Sequence, residues 1–344
     1  MIRPTHYLLL ALAVAGCKAS DKGEDVNTTP AEEIDKPDTL ATTPGAEIAD
    51  AGLPTLPKAP ALPKVPSGLP DTPSPDYNPT TANKVALGRL LFSDSQLAAA
   101  ESGFSCGSCH QESKGFASGI SIDKTASGTL NQRHTPTLRN IGYHTEFYWD
   151  GRTKPLESHI LGHWMGQLGL DPKEATAVIA ADPAYRAHFL RAFGGKPSPD
   201  RAAEAIASYL RTIRTGDSAW DKYEAGQADA VSADAIAGAL IFNERAGCAT
   251  CHQPPLYTDL GYHSIKAVNR SAADVGRFGT SSIAADKGAF KTPSLRALAT
   301  SAPYFHNGGA ANLGEVLDAK EASGSPRLSP IERRQLLAFL QALN

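Results

Sequence analysis

The chain carries Cys-x-x-Cys-His twice, as Cys106-Gly-Ser-Cys109-His110 and Cys248-Ala-Thr-Cys251-His252. That spacing suits covalent attachment of a c-type haem: two thioethers fix one edge of the porphyrin, and the adjacent imidazole lies under the iron. His110 and His252 are then the proximal iron ligands. The competing chemistry is a structural zinc held by the four cysteines. The two pairs stand 142 residues apart and each has its own immediate histidine, which favours two haems over one zinc.

The fifth cysteine, Cys17, closes a different pattern. Arg3 precedes an apolar run from Tyr7 to Ala15, followed by Gly16-Cys17. Such a run is too short to span a bilayer, and residues 1–17 read as an export signal. Val14-Ala15-Gly16-Cys17 resembles a bacterial lipoprotein box, in which Cys17 is lipidated; an ordinary signal peptide with a chance cysteine is the alternative. Acyl chains on Cys17 would tether the protein without a transmembrane helix. The expected location is therefore the periplasm or cell envelope, lipid-anchored, and Lys18 after the cysteine leans toward the outer membrane. A formal charge of −3 argues against a nucleic-acid partner.

The haem motifs need elements to hold them, and 344 residues leave room for two compact domains. Residues 18–76 contain no aromatic side chain and too little apolar surface to offset chain entropy, so a disordered segment is expected. Within it Pro54, Pro57, Pro60, Pro63 and Pro66 recur at every third position, the period of polyproline II. Extended in that form, residues 54–75 would reach about 70 Å and act as a stalk. A proline-recognition segment is the other use of such a run.

Beyond Tyr77 the signals are helical. Val85, Leu87, Leu90 and Leu91 form a stripe within Asn83 to Phe92. Ser198-Pro199 reads as an N-cap and first helical residue leading into Ala202, Ile206, Leu210 and Ile213. Ser232 can cap a helix that delivers the second haem motif, and Ser329-Pro330-Ile331-Glu332 is a capping box opening a helix to Leu343. Strand signals of any length are absent. Each haem motif is followed by a related turn, Thr135-Pro136-Thr137-Leu138-Arg139 and Thr292-Pro293-Ser294-Leu295-Arg296. The expected fold is mainly α, with long loops and two duplicated cytochrome c-like domains of one covalent haem each, residues 77–219 and 220–344.

Several of these stretches resemble the bacterial di-haem cytochrome c peroxidases and the wider superfamily that includes the MauG-type enzymes. They are Leu87-Gly88-Arg89-Leu90-Leu91-Phe92, Phe147-Tyr148-Trp149-Asp150-Gly151-Arg152, Phe290 to Arg296, and Ala302-Pro303-Tyr304-Phe305-His306-Asn307-Gly308. The resemblance covers about residues 77–344. It implies an N-terminal haem that meets hydrogen peroxide and a C-terminal haem that accepts electrons from a small cytochrome c or cupredoxin. In the MauG-type branch the oxidised substrate is instead a tryptophan of a partner protein. A di-haem electron carrier or redox sensor without turnover is a third reading.

The resemblance also assigns positions. Trp149 stands where the family has a relay tryptophan between the haems, and His306 matches a histidine supporting the C-terminal haem pocket. The usual Met or Tyr ligand of that haem corresponds here to Lys320, whose amine binds iron only when neutral. The glutamine and catalytic glutamate downstream of the tryptophan correspond to His159 and Gly169. His159 can replace the lost proton carrier, since imidazole shuttles protons near neutral pH; ligating the iron is its other use. His163 and Gln167 are nearby spares. The histidine that closes the first haem in resting relatives falls at Ala126, which leaves that iron open. The family's bridging calcium would use the Ser301 and Pro303 carbonyls, but His134 replaces its asparagine and suits calcium poorly, so calcium is not expected.

Overall fold

Helix starts follow the side-chain caps present in the chain. In the computed structural model, which describes residues 52–268 and 273–344, Thr81 accepts the Lys84 amide at the head of α1 (Ala82–Ser93). One helical turn, α2 (Cys106–Cys109), carries the first cysteine pair, and α3 (Leu156–His163) follows a long loop. Asp171, Asp182 and Ser198 cap α4 (Pro172–Ala181), α5 (Pro183–Phe193) and α6 (Pro199–Leu210), each with proline in the first turn, where no amide is required. The second half holds α7 (Ala219–Glu224), α8 (Ala233–Leu240), α9 (Phe278–Ser281), α10 (Leu313–Ala322) and α11 (Pro330–Ala342). Ser232 and Ser329 cap α8 and α11 as expected. A two-residue antiparallel pairing joins β1 (Tyr262–His263) to β2 (Phe290–Lys291), with Tyr262 opposite Lys291. The fold is mainly helical with long connecting loops.

Two hydrophobic cores lie on either side of residue 219. The first gathers Leu87, Leu91, Ile160, Phe189 and Ile206; the second gathers Trp220, Phe242, Leu336, Phe339 and Leu343. Each is organised by one close helix crossing. A Cβ on Gly88 of α1 would lie 1.9 Å from the Ala205 carbonyl of α6, and one on Gly238 of α8 would lie 2.0 Å from the Gln335 carbonyl of α11. Only glycine permits backbones to approach so closely. The same device in both halves extends the duplication seen in the motifs.

Ion pairs stitch the halves together. Arg133 reaches Asp150 at 2.7 Å in its own half and grips Asp274 of the other at 2.9 and 2.7 Å. Arg277 returns the contact by donating to the Asp150 and Gly151 carbonyls. Gly151 has φ 69°, and a Cβ there would lie 1.7 Å from the Tyr262 hydroxyl. The glycine of Trp-Asp-Gly-Arg is therefore set by this junction.

The export signal, Cys17 and residues 18–51 lie outside the described residues. The free stalk expected over residues 54–75 is corrected by the contacts these residues make. Arg191 donates to the Leu56 and Pro57 carbonyls, Arg214 to that of Pro63, Arg296 to that of Gly68, and the Tyr143 hydroxyl to that of Pro70. Ser67 donates to Asp217 through its amide at 2.7 Å. The physical reason is that an extended proline-rich strand leaves its carbonyls unpaired, so arginines on the body can hold it. No helix among the described residues is long and apolar enough to cross a membrane.

Candidate haem centres

Both histidines of the Cys-x-x-Cys-His motifs are fixed by one local construction. The His110 amide closes a turn on the Cys106 carbonyl at 3.0 Å, and the His252 amide does so on Cys248 at 2.9 Å. Each chain segment then doubles back through an aromatic residue in the left-handed region, Phe116 at φ 58° and Tyr257 at φ 54°. The carbonyl of that residue lies 3.0 Å from His110 Nδ1 and 2.9 Å from His252 Nδ1. A carbonyl only accepts, so each Nδ1 carries the hydrogen and each Nε2 keeps its lone pair. Burial pushes both imidazoles below their ordinary pKa, His252 to about 4, so both are neutral near neutral pH, the form in which an imidazole can bind a metal.

A four-cysteine zinc site is ruled out by the same geometry. Among the described residues the two cysteine pairs do not converge; the one grouping of metal-binding side chains is Cys251, Asp259 and His263.

Cys106, Cys109 and His110 open onto a cavity of about 640 Å³, within the range of cofactor sites. Thioether-forming sulfurs and a free Nε2 on one wall fit a covalent haem. The facing residues come from the Trp-Asp-Gly-Arg loop and α3. His159 stacks on Phe147 at 5.2 Å and meets Tyr148 edge-on at 4.3 Å, with its Nδ1 3.1 Å from the Thr153 hydroxyl. Burial, with His163 and His110 adding to it, pushes the His159 pKa well down. Trp149 also lines this cavity. Its indole donates to the His134 carbonyl at 2.8 Å, and its own carbonyl accepts the Lys291 amide of the second half at 2.8 Å.

The remaining assigned positions are spread around these centres. His306 is buried, lies parallel to Phe290 with ring centres 3.5 Å apart, and accepts the His134 amide on its carbonyl. Lys320 is half-buried near the end of α10, close enough for its charge to act on Cys248, Cys251 and His252. His134 has its Nδ1 2.9 Å from the Ile120 carbonyl. Gly169, where the resemblance places the catalytic glutamate, ends a π-helical turn (Trp164–Leu168) at φ 66°. Ala126 donates its amide to the Gln167 carbonyl beside that turn.

Two residues of the site escaped the sequence reading. Tyr148 sits between His159 and His163, under the Arg152 guanidinium at 3.4 Å from its ring centre. His163, mentioned only as a spare, stands with its ring centre 6.4 Å from that of His110. The available signal was the four-residue spacing of His159 and His163, which puts both on one helical face.

Twin sites of this build define a class: proteins made to hold c-type haem at two places. A family model described as di-haem cytochrome c peroxidase matches residues 82–229. The methylamine utilization protein MauG of Methylorubrum extorquens is 34% identical over 286 residues, covering 79% of this chain and 81% of that one. Cytochrome c551 peroxidase of Nitrosomonas europaea is 31% identical over 315 residues, covering 88% and 89%. Among solved structures, a MauG-like protein associated with microbial copper homeostasis aligns with a TM-score of 0.74 at 27% identity, over 81% of this chain and 94% of that one. The chain belongs to the di-haem cytochrome c peroxidase family and is a peroxidase-like oxidoreductase. Membership implies two c-type haems.

Proposed function

We propose that this chain reduces hydrogen peroxide to water with electrons drawn from a small cytochrome c or cupredoxin, which enter through the C-terminal half. In this reading residues 77–219 are the peroxidatic half and residues 220–344 the electron-accepting half. The observation that carries it is the position of Trp149, which lines the His110 cavity and accepts a backbone hydrogen bond from Lys291 of the other half. When bound, the haems supply the redox chemistry that side chains lack. The chain's own residues hold, orient and move protons.

His110 and His252 present Nε2 because Phe116 and Tyr257 occupy Nδ1. Reduction of one peroxide to two waters consumes two electrons and two protons, and His159 is the group placed to relay a proton. Its Nδ1 is engaged by Thr153, which leaves Nε2 to take a proton from one peroxide oxygen and return it to the other. Burial keeps that imidazole neutral at neutral pH, with its Nε2 lone pair unprotonated. Trp149 offers the aromatic bridge between the halves, held in place by His134 and Lys291. Lys320 is the candidate partner of His252 on the second iron, supported by its place beside that motif.

Export and lipid anchoring at Cys17 belong to the proposal and rest on residues 1–17. A second reading, peroxide-dependent oxidation of an aromatic residue in a partner protein, is favoured by the 34% identity to MauG and by Ala126 standing where resting peroxidase relatives carry a histidine. Steady-state assay of the purified protein with peroxide and reduced cytochrome c separates the two. Continuous oxidation of the cytochrome supports the peroxidase; a single turnover that then stalls supports partner oxidation.

A further inference from the structure

We propose that His163 is the axial ligand closing the first iron on the face opposite His110, so that the first half holds its haem between two histidines. The inference rests on the reading of Cys106-Gly-Ser-Cys109-His110 as a haem site, and it replaces the open iron expected from Ala126. Two imidazoles bound on opposite sides of one metal through bonds of about 2 Å have ring centres about 6 Å apart. His110 and His163 stand 6.4 Å apart with their planes inclined by 44°. Both line the cavity.

The neighbouring histidine does not meet this condition as well. His159 is one turn earlier on the same face of α3, and its ring lies 5.1 Å from that of His163. It stacks on Phe147, and among the described residues the imidazole whose ring faces that of His110 is His163. His163 is instead held in the manner of a ligand. Its Nδ1 lies 3.1 Å from the Tyr148 hydroxyl, so Nε2 is the nitrogen left to bind. Metal-bound histidines are commonly oriented through their second nitrogen in this way. Tyr148 is itself fixed, with φ 64° and Arg152 over its ring.

The helix beyond supports the orientation. Immediately after His163 the chain passes into the π-helical turn, a distortion that recurs at functional sites. Trp164 anchors it, buried and donating its indole N–H to the Leu97 carbonyl at 2.6 Å. Peroxide then reaches the first centre only when His163 leaves, while His159 remains beside it to carry the proton.

The test is low-temperature electron paramagnetic resonance of the ferric holoprotein, with a mass measurement of its haem content. His163→Gly should create one high-spin ferric iron per chain, and added imidazole should return it to low spin. His159→Ala should leave the spin state as it was. His163→Met keeps an axial donor and should give a low-spin signal distinct from that of the parent, which serves if the glycine variant does not fold. An unchanged spectrum in His163→Gly or His163→Met, or a conversion produced by His159→Ala instead, overturns the ligand assignment. A mass lacking two haem additions overturns the haem reading itself, whatever the spectrum shows.

Discussion

In the first half, His110 looks onto two further histidines and a tyrosine braced by an arginine. In the second, His252 is held by the same backward turn, but the groups whose charge acts on it are Lys320 on α10, Asp259 and His263. The halves also share a glycine at the main helix crossing and a Thr-Pro-x-Leu-Arg turn after the motif. What the two halves share is the machinery that fixes the motif imidazole. What diverged is the opposite face, where a haem protein decides between reacting and conducting.

The most severe way to break this comparison is to remove each proximal histidine in turn. His110→Gly should abolish the optical response to stoichiometric peroxide and leave the second centre's spectrum intact. His252→Gly should keep that response yet lose steady turnover with reduced cytochrome c. If the two variants behaved alike, the division of labour between the halves would be wrong. A smaller loss is expected from His159→Ala, which should slow the reaction with peroxide by about 10²–10⁴, the usual worth of a positioned proton carrier. Stopped-flow measurement checks it, and a rate equal to that of the parent would remove His159 from the mechanism.

Buried ion pairs sharpen the contrast at the level of stability. Arg296 forms two 2.8 Å bonds to Asp221 with both side chains almost fully buried. Arg211 makes a single 2.8 Å contact with Glu157, whose carboxylate also accepts from Asn78 at 2.7 Å and Tyr77 at 3.1 Å. Arg296→Ala strands Asp221 without its cation and should cost about 3–5 kcal/mol in denaturant unfolding. Arg211→Ala should cost less, because it breaks one charged bond to Glu157 where Arg296→Ala breaks two to Asp221. Equal losses would erase the distinction.

Acid should act on both pairs with one sign. Burial raises each carboxyl, but hydrogen bonds outweigh it, chiefly from Arg296 to Asp221 and from Asn78 to Glu157. Both finish below the ordinary range. Their contribution is complete above the unfolded value of about 4 and is lost as pH falls through the lowered folded values. Arg296→Ala should flatten that part of the acid-unfolding curve.

Much of this was legible before any coordinates. Ser198, Ser232 and Ser329 accept the amides their positions promise, because a cap is a local contact between residues three apart. The haem motifs are equally local. α4 and α5 were not legible, since Pro172 and Pro183 read as breaks unless the preceding Asp171 and Asp182 are recognised as caps. The docking of the proline-rich strand escaped because its hydrogen bonds use carbonyls, which every residue possesses. The approach of His163 to His110 joins positions 53 apart in sequence, and only the packing of α3 against α6 brings the ring to the cavity.

The least disruptive change tests the opposite face of the second centre. Lys320→Ala removes the amine but keeps α10, since alanine is the strongest helix former. An amine binds iron only after losing its proton, against a free value of about 10.4, so ligation requires a proton-releasing environment. If Lys320 binds, the substitution should turn the second ferric centre from low to high spin while the first keeps its spectrum, and turnover should fall by a few-fold at most. A second centre that is unmoved would leave His252 with water or an open face, and the contrast between the halves would then reside in the His163 side alone.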